Sequence, residues 1–224
     1  ANNGQSNEEL LKMITCDVLH SLHVLHSQQY IHCDVNPSNI MKDLHGNYKL
    51  IDFDMMMKID VKRGYVKDCW KGTVGWVAAE IGADLDSANN EYSFATDLWS
   101  IGLCLVYLLN DFQNPFALTP QEIADNQLND ESTKLEYYYK YKLNEETYLQ
   151  VQYLLIGWFV ENKISWNLYD LLLNHLLVFD VADRAKSCAE LVAHSWFASY
   201  IKENRHKYPS FEIGGYEQGE ILSY

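Results

Sequence analysis

The part of the chain that decides the fold reads YIHCDVNPSNIM at residues 30–41 and LIDFD at residues 50–54. The first part carries Asp34 and Asn39, and the second carries Asp52. We expect the two parts to fold into a short β-hairpin that brings one amide and two carboxylates together. Oxygen ligands of this kind are suited to a magnesium ion that is bound to phosphate groups.

The turn between the two parts predicts which residues of the hairpin face each other. His45-Gly46 suits a two-residue turn, in which the flanking residues pair in order. That register places Asn39 directly opposite Asp52. Opposed side chains lie about 5 Å apart on one face of a sheet, so Asn39 and Asp52 are predicted to share a hard cation.

Apolar residues at helical spacing dominate the rest of the chain. Leu11, Val18 and Leu22 mark one face of an amphipathic helix over residues 8–29, and residues 95–109 predict a buried apolar helix. Further helices are predicted at 120–128, 144–160, 165–177 and 187–195. The long segment between the hairpin and the buried helix lacks such a pattern, which is typical of functional loops. The fold class is therefore mainly α, with one small β-hairpin.

The composition argues against several classes of protein. The net charge is −14, so nucleic acid is not expected as a partner because like charges repel its phosphate backbone. No apolar run reaches the roughly 20 residues of a bilayer span, and no membrane partner is expected. The five cysteines are scattered and never spaced as CxxC. That distribution favours a reducing compartment, cytoplasmic or nuclear.

Five short motifs follow one another along the chain. They are His32-Cys33-Asp34 with Asn39, Asp52-Phe53-Asp54, the segment at residues 72–80, Asp97-Leu98-Trp99-Ser100-Ile101-Gly102, and the closing region from Asp180 to Arg184 with His194-Ser195-Trp196-Phe197. In this order and spacing they resemble the large, mostly helical C-terminal lobe of a eukaryotic-type protein kinase of the serine/threonine kind. One such motif alone has little specificity, but five in the order of the family are specific.

The resemblance implies a role for each candidate site residue. Asp34 is expected to act as general base toward the substrate hydroxyl, and Thr73 is expected to hydrogen-bond beside it. Asn39 and Asp52 are expected to hold the Mg²⁺ that bridges the phosphates of ATP. Met41 is expected to lie under the adenine, although a methionine at this position also suits the core.

The same resemblance implies a structural frame around the site. Asp97 is expected to accept hydrogen bonds from the backbone of the catalytic loop. Glu80 and Arg184 are expected to form a buried ion pair. His32 and Phe53 are expected to stack in the hydrophobic spine that joins the two lobes.

The resemblance also implies the organisation of the chain. It places the large lobe of a kinase at residues 1–199, with its activation segment at 52–80. The polar tail at 200–224 is expected to be loosely attached. The small N-terminal β lobe is absent from this segment, since no GxGxxG precedes Asp34. We expect the chain to be part of a longer protein and inactive alone, with the N-terminal lobe supplied in cis or in trans. The implied activity is then transfer of the ATP γ-phosphate to a Ser/Thr hydroxyl of a protein substrate.

Three residues depart from the pattern of the family. Cys33 replaces an arginine that receives an activation-loop phosphate, which a thiol cannot do. Asn36 stands among the catalytic residues, where these kinases carry a lysine that steadies the transferring phosphate, and its amide donates a hydrogen bond without a positive charge. Asp54 replaces a glycine and adds a carboxylate near the predicted metal ligands.

These departures leave two other functions open. The first is a pseudokinase or decoy, a kinase-like lobe that binds a kinase or its substrate without catalysis. The second is a small-molecule phosphotransferase of related fold, such as an aminoglycoside or choline kinase, which shares the arrangement of Asp34, Asn39 and Asp52. That class is not expected to contain the segment at 72–80 together with Arg184, so it is the less favoured of the two.

Overall fold

The computed structural model describes residues 3–81 and 88–211, and helices dominate these ranges. The helices are α1 (Asn3–Ser27), α2 (Phe94–Leu109), α3 (Pro120–Asp125), α4 (Glu131–Tyr141), α5 (Glu145–Val160), α6 (Trp166–Leu171), α7 (Cys188–Val192) and α8 (Ser195–Glu203). The predicted helices at 95–109 and 144–160 are confirmed to within one residue. Helices α4 and α8 were not predicted, because each has few buried residues from which to recognise a helical period. The buried residues are Leu135 and Tyr138 in α4, and Trp196, Phe197 and Ile201 in α8. None of the helices in the described ranges combines the length and apolar composition of a membrane span.

Three small antiparallel sheets of two strands each accompany the described helices. They pair β1 (Tyr30–Ile31) with β4 (Met57–Lys58), β2 (Ile40–Lys42) with β3 (Tyr48–Leu50), and β5 (Val66–Asp68) with β6 (Asn90–Tyr92). The fold is therefore mainly α, as predicted. The segment after the hairpin is less irregular than predicted, because β4 and β5 pair with strands on either side of it.

Helix α2 forms the centre of the core. Its twelve residues from Ala95 to Val106 are all buried, as expected for a helix that is apolar on every side. Ser93 caps the beginning of the helix, and its backbone N–H donates to the Thr96 hydroxyl at 3.1 Å. Helix α1 contacts α2 and also β1, β3, α7 and α8. The hairpin and the segment before it are therefore held against the buried core of the molecule.

Pairing of the hairpin extends beyond β2 and β3 to Asp43, whose N–H donates to the Asn47 carbonyl at 2.8 Å. The loop therefore has three residues, 44–46, rather than two. The Asp43 carboxylate accepts hydrogen bonds from the backbone N–H groups of His45 and Asn47, both at 2.8 Å. Gly46 has a φ of +87°, in the left-handed region that favours glycine. The predicted two-residue turn is wrong, because the Asp43 side chain satisfies the backbone donors of a larger loop.

The extra loop residue shifts the register of the hairpin by one. Ile40 pairs with Leu50, and the Ile51 N–H donates to the Asn39 carbonyl at 2.9 Å. Asn39 thus lies opposite Ile51, and its predicted pairing with Asp52 is wrong. A shift of one residue matters because neighbouring side chains of a strand point to opposite faces.

Residues 200–211 pack against α1 and do not form a loose tail. The hydroxyl of Tyr208, which is buried, donates to Asp17 Oδ1 at 2.7 Å. The other oxygen of Asp17 accepts the backbone N–H of Tyr48 in β3 at 2.9 Å. One buried carboxylate on α1 therefore ties this segment to the hairpin. The rest of the predicted tail, residues 212–224, lies outside the described residues.

Two helical glycines allow a matched test of the core. A Cβ on Gly102 in α2 would meet side-chain atoms of Leu177 at 2.8 Å and Leu176 at 3.0 Å, whereas one on Gly157 in α5 would meet nothing within 4 Å. Gly102→Ala is expected to lower the free energy of unfolding by up to about 2 kcal/mol, because overpacking costs about 1–3 kcal/mol and helix propensity returns about 1 kcal/mol of it. Gly157→Ala is expected to raise it by about 1 kcal/mol through helix propensity. Urea unfolding measures both, and equal effects would contradict the close packing at Gly102.

Candidate active site

Four polar side chains form a hydrogen-bonded cluster around Asp34. Thr73 Oγ1 donates to Asp34 Oδ1 at 2.6 Å, and Asn36 Nδ2 donates to the same oxygen at 3.0 Å. Asn39 Nδ2 donates to the other oxygen, Asp34 Oδ2, at 2.9 Å. We refer to Asp34, Asn36, Asn39 and Thr73 as the Asp34 cluster. Both carboxylate oxygens are thus oriented by donors, while Asp34 itself remains half-buried.

A short 3-10 turn at Pro37–Asn39 brings these side chains together. Asn36 caps the turn, since its Oδ1 accepts the Ser38 N–H at 3.0 Å and its own backbone is extended. Proline at the first position of the turn fixes a suitable backbone angle. The turn directs the Asn39 amide back toward Asp34, where Nδ2 also donates to the backbone carbonyl at 2.9 Å.

The backbone of the loop that precedes Asp34 is held by the carboxylate of Asp97. The N–H groups of His32 and Cys33 each donate to one oxygen of the Asp97 carboxylate at 2.9 Å. Asp97 is 1% exposed, so these bonds lie in a water-excluded environment. The predicted contact between Asp97 and the loop is confirmed.

His26 is a site-supporting residue that the sequence reasoning missed. Its Nε2 lies 2.8 Å from Asp97 Oδ2, and its ring stacks on Phe94 with centroids 4.4 Å apart. Asp97 therefore has a third polar partner, which fixes the carboxylate that supports the loop. The available signal was a polar residue on the buried face of α1, four positions after Leu22.

Cys33 occupies a strained and buried position beside Asp34. Its φ is +67°, an uncommon value for a residue other than glycine. Burial, and then the charge of Asp97, raise the pKa of the Cys33 thiol far above its usual range. The thiol therefore stays neutral and is neither a nucleophile nor an anion receptor.

Asp52 lies on the exposed surface next to the loop and outside the Asp34 cluster. No hydrogen bond within the described ranges joins its carboxylate to that cluster. Its φ of +62° is again left-handed, and such strain is concentrated at functional sites. The neighbouring residues hold it in place: His32 Nε2 lies 3.2 Å from the Ile51 carbonyl. The rings of His32 and Phe53 are in contact, with centroids 5.2 Å apart, and their place in a spine that joins two lobes stays a prediction.

Met41 is an exposed residue of β2. Its side chain is 56% exposed, so its alternative role as a core methionine is wrong. Phe53 is also exposed, at 47%. Exposed apolar side chains are compatible with a surface that a ligand or another part of the protein covers. The contact of Met41 with adenine stays a prediction.

The predicted ion pair between Glu80 and Arg184 is confirmed. Two bonds join the guanidinium to the carboxylate, each at 2.9 Å. Arg184 also donates to the carbonyls of Val178 and Ala95 and lies 4.8 Å from the centre of the Trp99 ring. This pair anchors the end of the segment at 72–80, which carries Thr73 toward Asp34.

The donor set of Asn39 and Asp52 fits a magnesium ion. The Asn39 amide nitrogen faces Asp34, so its oxygen Oδ1 is the atom that is left for a cation. The exposed carboxylate of Asp52 offers the charged oxygen that Mg²⁺ prefers, and water and phosphate groups supply the other ligands of such sites. Asp52 follows the end of β3 with a φ of +62°, so the alternation of faces along the strand does not extend to its side chain.

The family model for the protein kinase domain matches residues 1–197. The chain therefore belongs to the protein kinase family, of the eukaryotic type that its serine/threonine kinase relatives represent. The match includes every residue of the Asp34 cluster, Asp52 and the Glu80–Arg184 pair.

Individual curated relatives are serine/threonine kinases of plants, fungi and animals. The chain is 35% identical over 109 residues to Serine/threonine-protein kinase RUNKEL of Arabidopsis thaliana. The matched region covers 49% of the chain and 8% of the relative. It is 33% identical over 111 residues to Serine/threonine-protein kinase 32C of Mus musculus. Here the matched region covers 50% of the chain and 22% of the relative. It is 28% identical over 134 residues to Serine/threonine-protein kinase sid1 of Schizosaccharomyces pombe. In this case the matched region covers 59% of the chain and 27% of the relative. The matched region thus spans between 8% and 27% of the length of these three relatives.

Proposed function

We propose that this chain is the large C-terminal lobe of a protein serine/threonine kinase. Joined to an N-terminal lobe, in cis or in trans, it transfers the γ-phosphate of ATP to a hydroxyl group of a protein substrate. The observation that carries the proposal is the Asp34 cluster, a carboxylate whose two oxygens are both oriented by side-chain donors.

The cluster suits Asp34 to act on a substrate hydroxyl. Thr73 and Asn36 both donate to Oδ1, and Asn39 donates to Oδ2. These bonds fix the carboxylate so that a hydroxyl can approach it without further reorganisation, which is the main source of electrostatic catalysis. Magnesium, when bound, would neutralise charge on the phosphate groups, and Asn39 and Asp52 are the residues that would hold it.

Asn36 sets an upper limit on the rate. Its amide is committed to Asp34, and it carries no positive charge with which to stabilise a transferring phosphate. Removing one preorganised stabiliser of developing charge costs about 10²–10³-fold in rate. The proposed enzyme is therefore slower than a kinase with a lysine in this position.

The nucleotide site can be tested through the exposed residue Asp52. In the parent protein, Asp52→Asn is expected to remove most of the thermal stabilisation by Mg–ATP, because it removes the charged magnesium ligand. A ligand at 100 times its Kd contributes about 2.7 kcal/mol to the free energy of unfolding. The measurement is the midpoint of thermal unfolding with and without Mg–ATP. Asp60→Asn, an exposed carboxylate of the following loop, is the control and should keep the full shift.

The result separates loss of binding from loss of folding. Asp52 is exposed, so the midpoint without nucleotide should be equal in the wild type and both variants. A full Mg–ATP shift in Asp52→Asn would contradict its role as a metal ligand.

A pseudokinase is the second candidate function. It is favoured by the neutral Cys33 thiol, by the Asn36 amide in a position of positive charge, and by Asp54 beside Asp52. This candidate predicts no phosphotransfer by the parent protein with Mg–ATP and a general protein substrate such as casein, whether or not nucleotide raises the midpoint. Measurable turnover that depends on Asp34 would exclude it.

We also propose an intracellular, reducing location, cytoplasmic or nuclear. All five cysteines are free thiols, and four of them are buried. Free thiols in this number are typical of proteins that do not meet oxidising conditions. With a net charge of −14, the proposed partners are a protein substrate and ATP, and not nucleic acid.

A further inference from the structure

Three potential metal ligands meet where α6 passes the beginning of α8, outside the Asp34 cluster. His194 Nε2 lies 3.0 Å from Asp170 Oδ2, and His175 Nε2 lies 4.0 Å from the same oxygen. One ligand atom from each residue lies within 4.8 Å of the other two. We refer to Asp170, His175 and His194 as the His–Asp–His cluster. Nothing in the proposed kinase chemistry uses it.

A π-helical turn brings two of these residues to one face. Helix α6 continues into a π-turn at Leu172–Leu176, which closes with a bond from the Leu177 N–H to the Leu172 carbonyl at 2.8 Å. Residues five apart, such as Asp170 and His175, point about 140° apart on a regular α-helix. In a π-turn they lie on the same side. Single π-turns are rare and occur frequently at functional sites.

The Asp170 carboxylate is oriented for the two imidazoles. Asn174 Nδ2 donates to Asp170 Oδ1 at 2.7 Å. That bond occupies one oxygen and leaves Oδ2 toward His175 and His194. Hydrogen bonds that orient a ligand in this way accompany most protein metal sites.

We propose that the His–Asp–His cluster binds one Zn²⁺ ion, with water as the fourth ligand. Two imidazole nitrogens and one carboxylate oxygen form a set that zinc accepts in tetrahedral geometry. Bonds of about 2.1 Å in that geometry require ligand atoms about 3.4 Å apart. The separations of 3.0 and 4.0 Å lie on either side of this value. The His175 side chain, at 36% exposure, has room for the small adjustment.

Zinc binding changes the hydrogen bonds of His194 in a way that can be measured. Without metal, His194 Nδ1 accepts the backbone N–H of Trp196 at 3.2 Å, so Nε2 carries the proton and donates to Asp170. Zinc binds to Nε2 in place of the proton, and this proton moves to Nδ1 by exchange with solvent, so the ring stays neutral. The Trp196 N–H thereby loses its acceptor. The Trp196 amide resonance is expected to shift on addition of zinc.

The test is a calorimetric titration of the whole chain with zinc chloride after treatment with a chelator. All proteins carry Cys69→Ser, because Cys69 is the one cysteine that is not buried. We expect one zinc ion per chain, and a Kd that is raised by more than about 100-fold in His175→Gln, since even loss of an outer-shell partner costs 10–100-fold. His206→Gln, a change of an exposed histidine in a 3-10 turn, is the control and should leave the Kd unchanged.

Two results would overturn the proposal. One is an equal Kd for the His175→Gln variant and the control, which would place the bound zinc elsewhere. The other is that the chain with Cys69→Ser as its only change does not bind one zinc ion per chain. Thermal unfolding without zinc shows that each variant is folded. A shift of the Trp196 amide with zinc in the control, but not in His175→Gln, identifies His194 as a ligand and completes the assignment.

Discussion

Replacing Asp34 by asparagine in the parent protein is expected to lower the rate of phosphotransfer by about 10²–10⁴-fold, the contribution of a positioned general base. The substitution keeps the size of the side chain but removes its negative charge. It also places an amide NH₂ against one of the donors Thr73, Asn36 or Asn39. The amide of the variant can neither accept the substrate proton nor accept hydrogen bonds from all three partners. The measurement is the initial rate with Mg–ATP and a protein substrate.

Two controls separate the role of Asp34 from a loss of structure. Asp125→Asn changes an exposed carboxylate in the last turn of α3, where Gln121 donates to it at 2.7 Å, and it should leave the rate unchanged. The Mg–ATP shift in unfolding midpoint should survive in Asp34→Asn, because Asp34 is not a proposed metal ligand. A rate within 10-fold of the wild type would remove Asp34 from the chemistry.

The parts of the site that follow from the sequence are those fixed by many residues at once. Helix α2 could be predicted because its apolar run is long, and all of Ala95–Val106 is buried. The contacts of Asp97 with the loop and of Glu80 with Arg184 follow from the family motifs. Each of these features depends on burial over a large area, which is the strongest determinant of structure in a sequence.

The register of the hairpin could not be predicted because it depends on a few local bonds. The loop has three residues and not two because the backbone N–H groups of His45 and Asn47 donate to the Asp43 carboxylate. Side chains of this kind compete with regular turns at an energy of about 1 kcal/mol per hydrogen bond. The apolar pattern of the strands is too short to oppose that choice, so Asn39 and Asp52 were aligned incorrectly.

The π-turn could not be predicted from the sequence either. The predicted helix at 165–177 fits the leucines of this segment, and Leu171, Leu172, Leu176 and Leu177 are indeed all buried. Paired leucines satisfy the core with or without one extra residue in the turn. The position of His175 beside Asp170 therefore appears only when the backbone is known.

Replacing Arg184 by methionine is expected to lower the free energy of unfolding by about 3–5 kcal/mol, the usual cost of removing one partner from a buried ion pair. Arg184 is 1% exposed. Its loss leaves the Glu80 carboxylate, and the carbonyls of Val178 and Ala95, without their main donor. Methionine keeps most of the apolar contact with Trp99, so the charge and its hydrogen bonds are the principal change. Urea unfolding of the whole chain measures the effect.

A second arginine offers the matched control. Arg63 pairs with Asp60 at 3.6 Å on the surface, where the two side chains are 63% and 49% exposed. Arg63→Met should change the free energy of unfolding by no more than about 0.5 kcal/mol, since exposed pairs contribute little. The double variant Glu80→Gln with Arg184→Met should lose less than the sum of the single losses, because each single change leaves a buried group unpaired. Additive losses, or a loss below 1 kcal/mol for Arg184→Met, would mean that solvent reaches the pair and that the segment at 72–80 is anchored by other contacts.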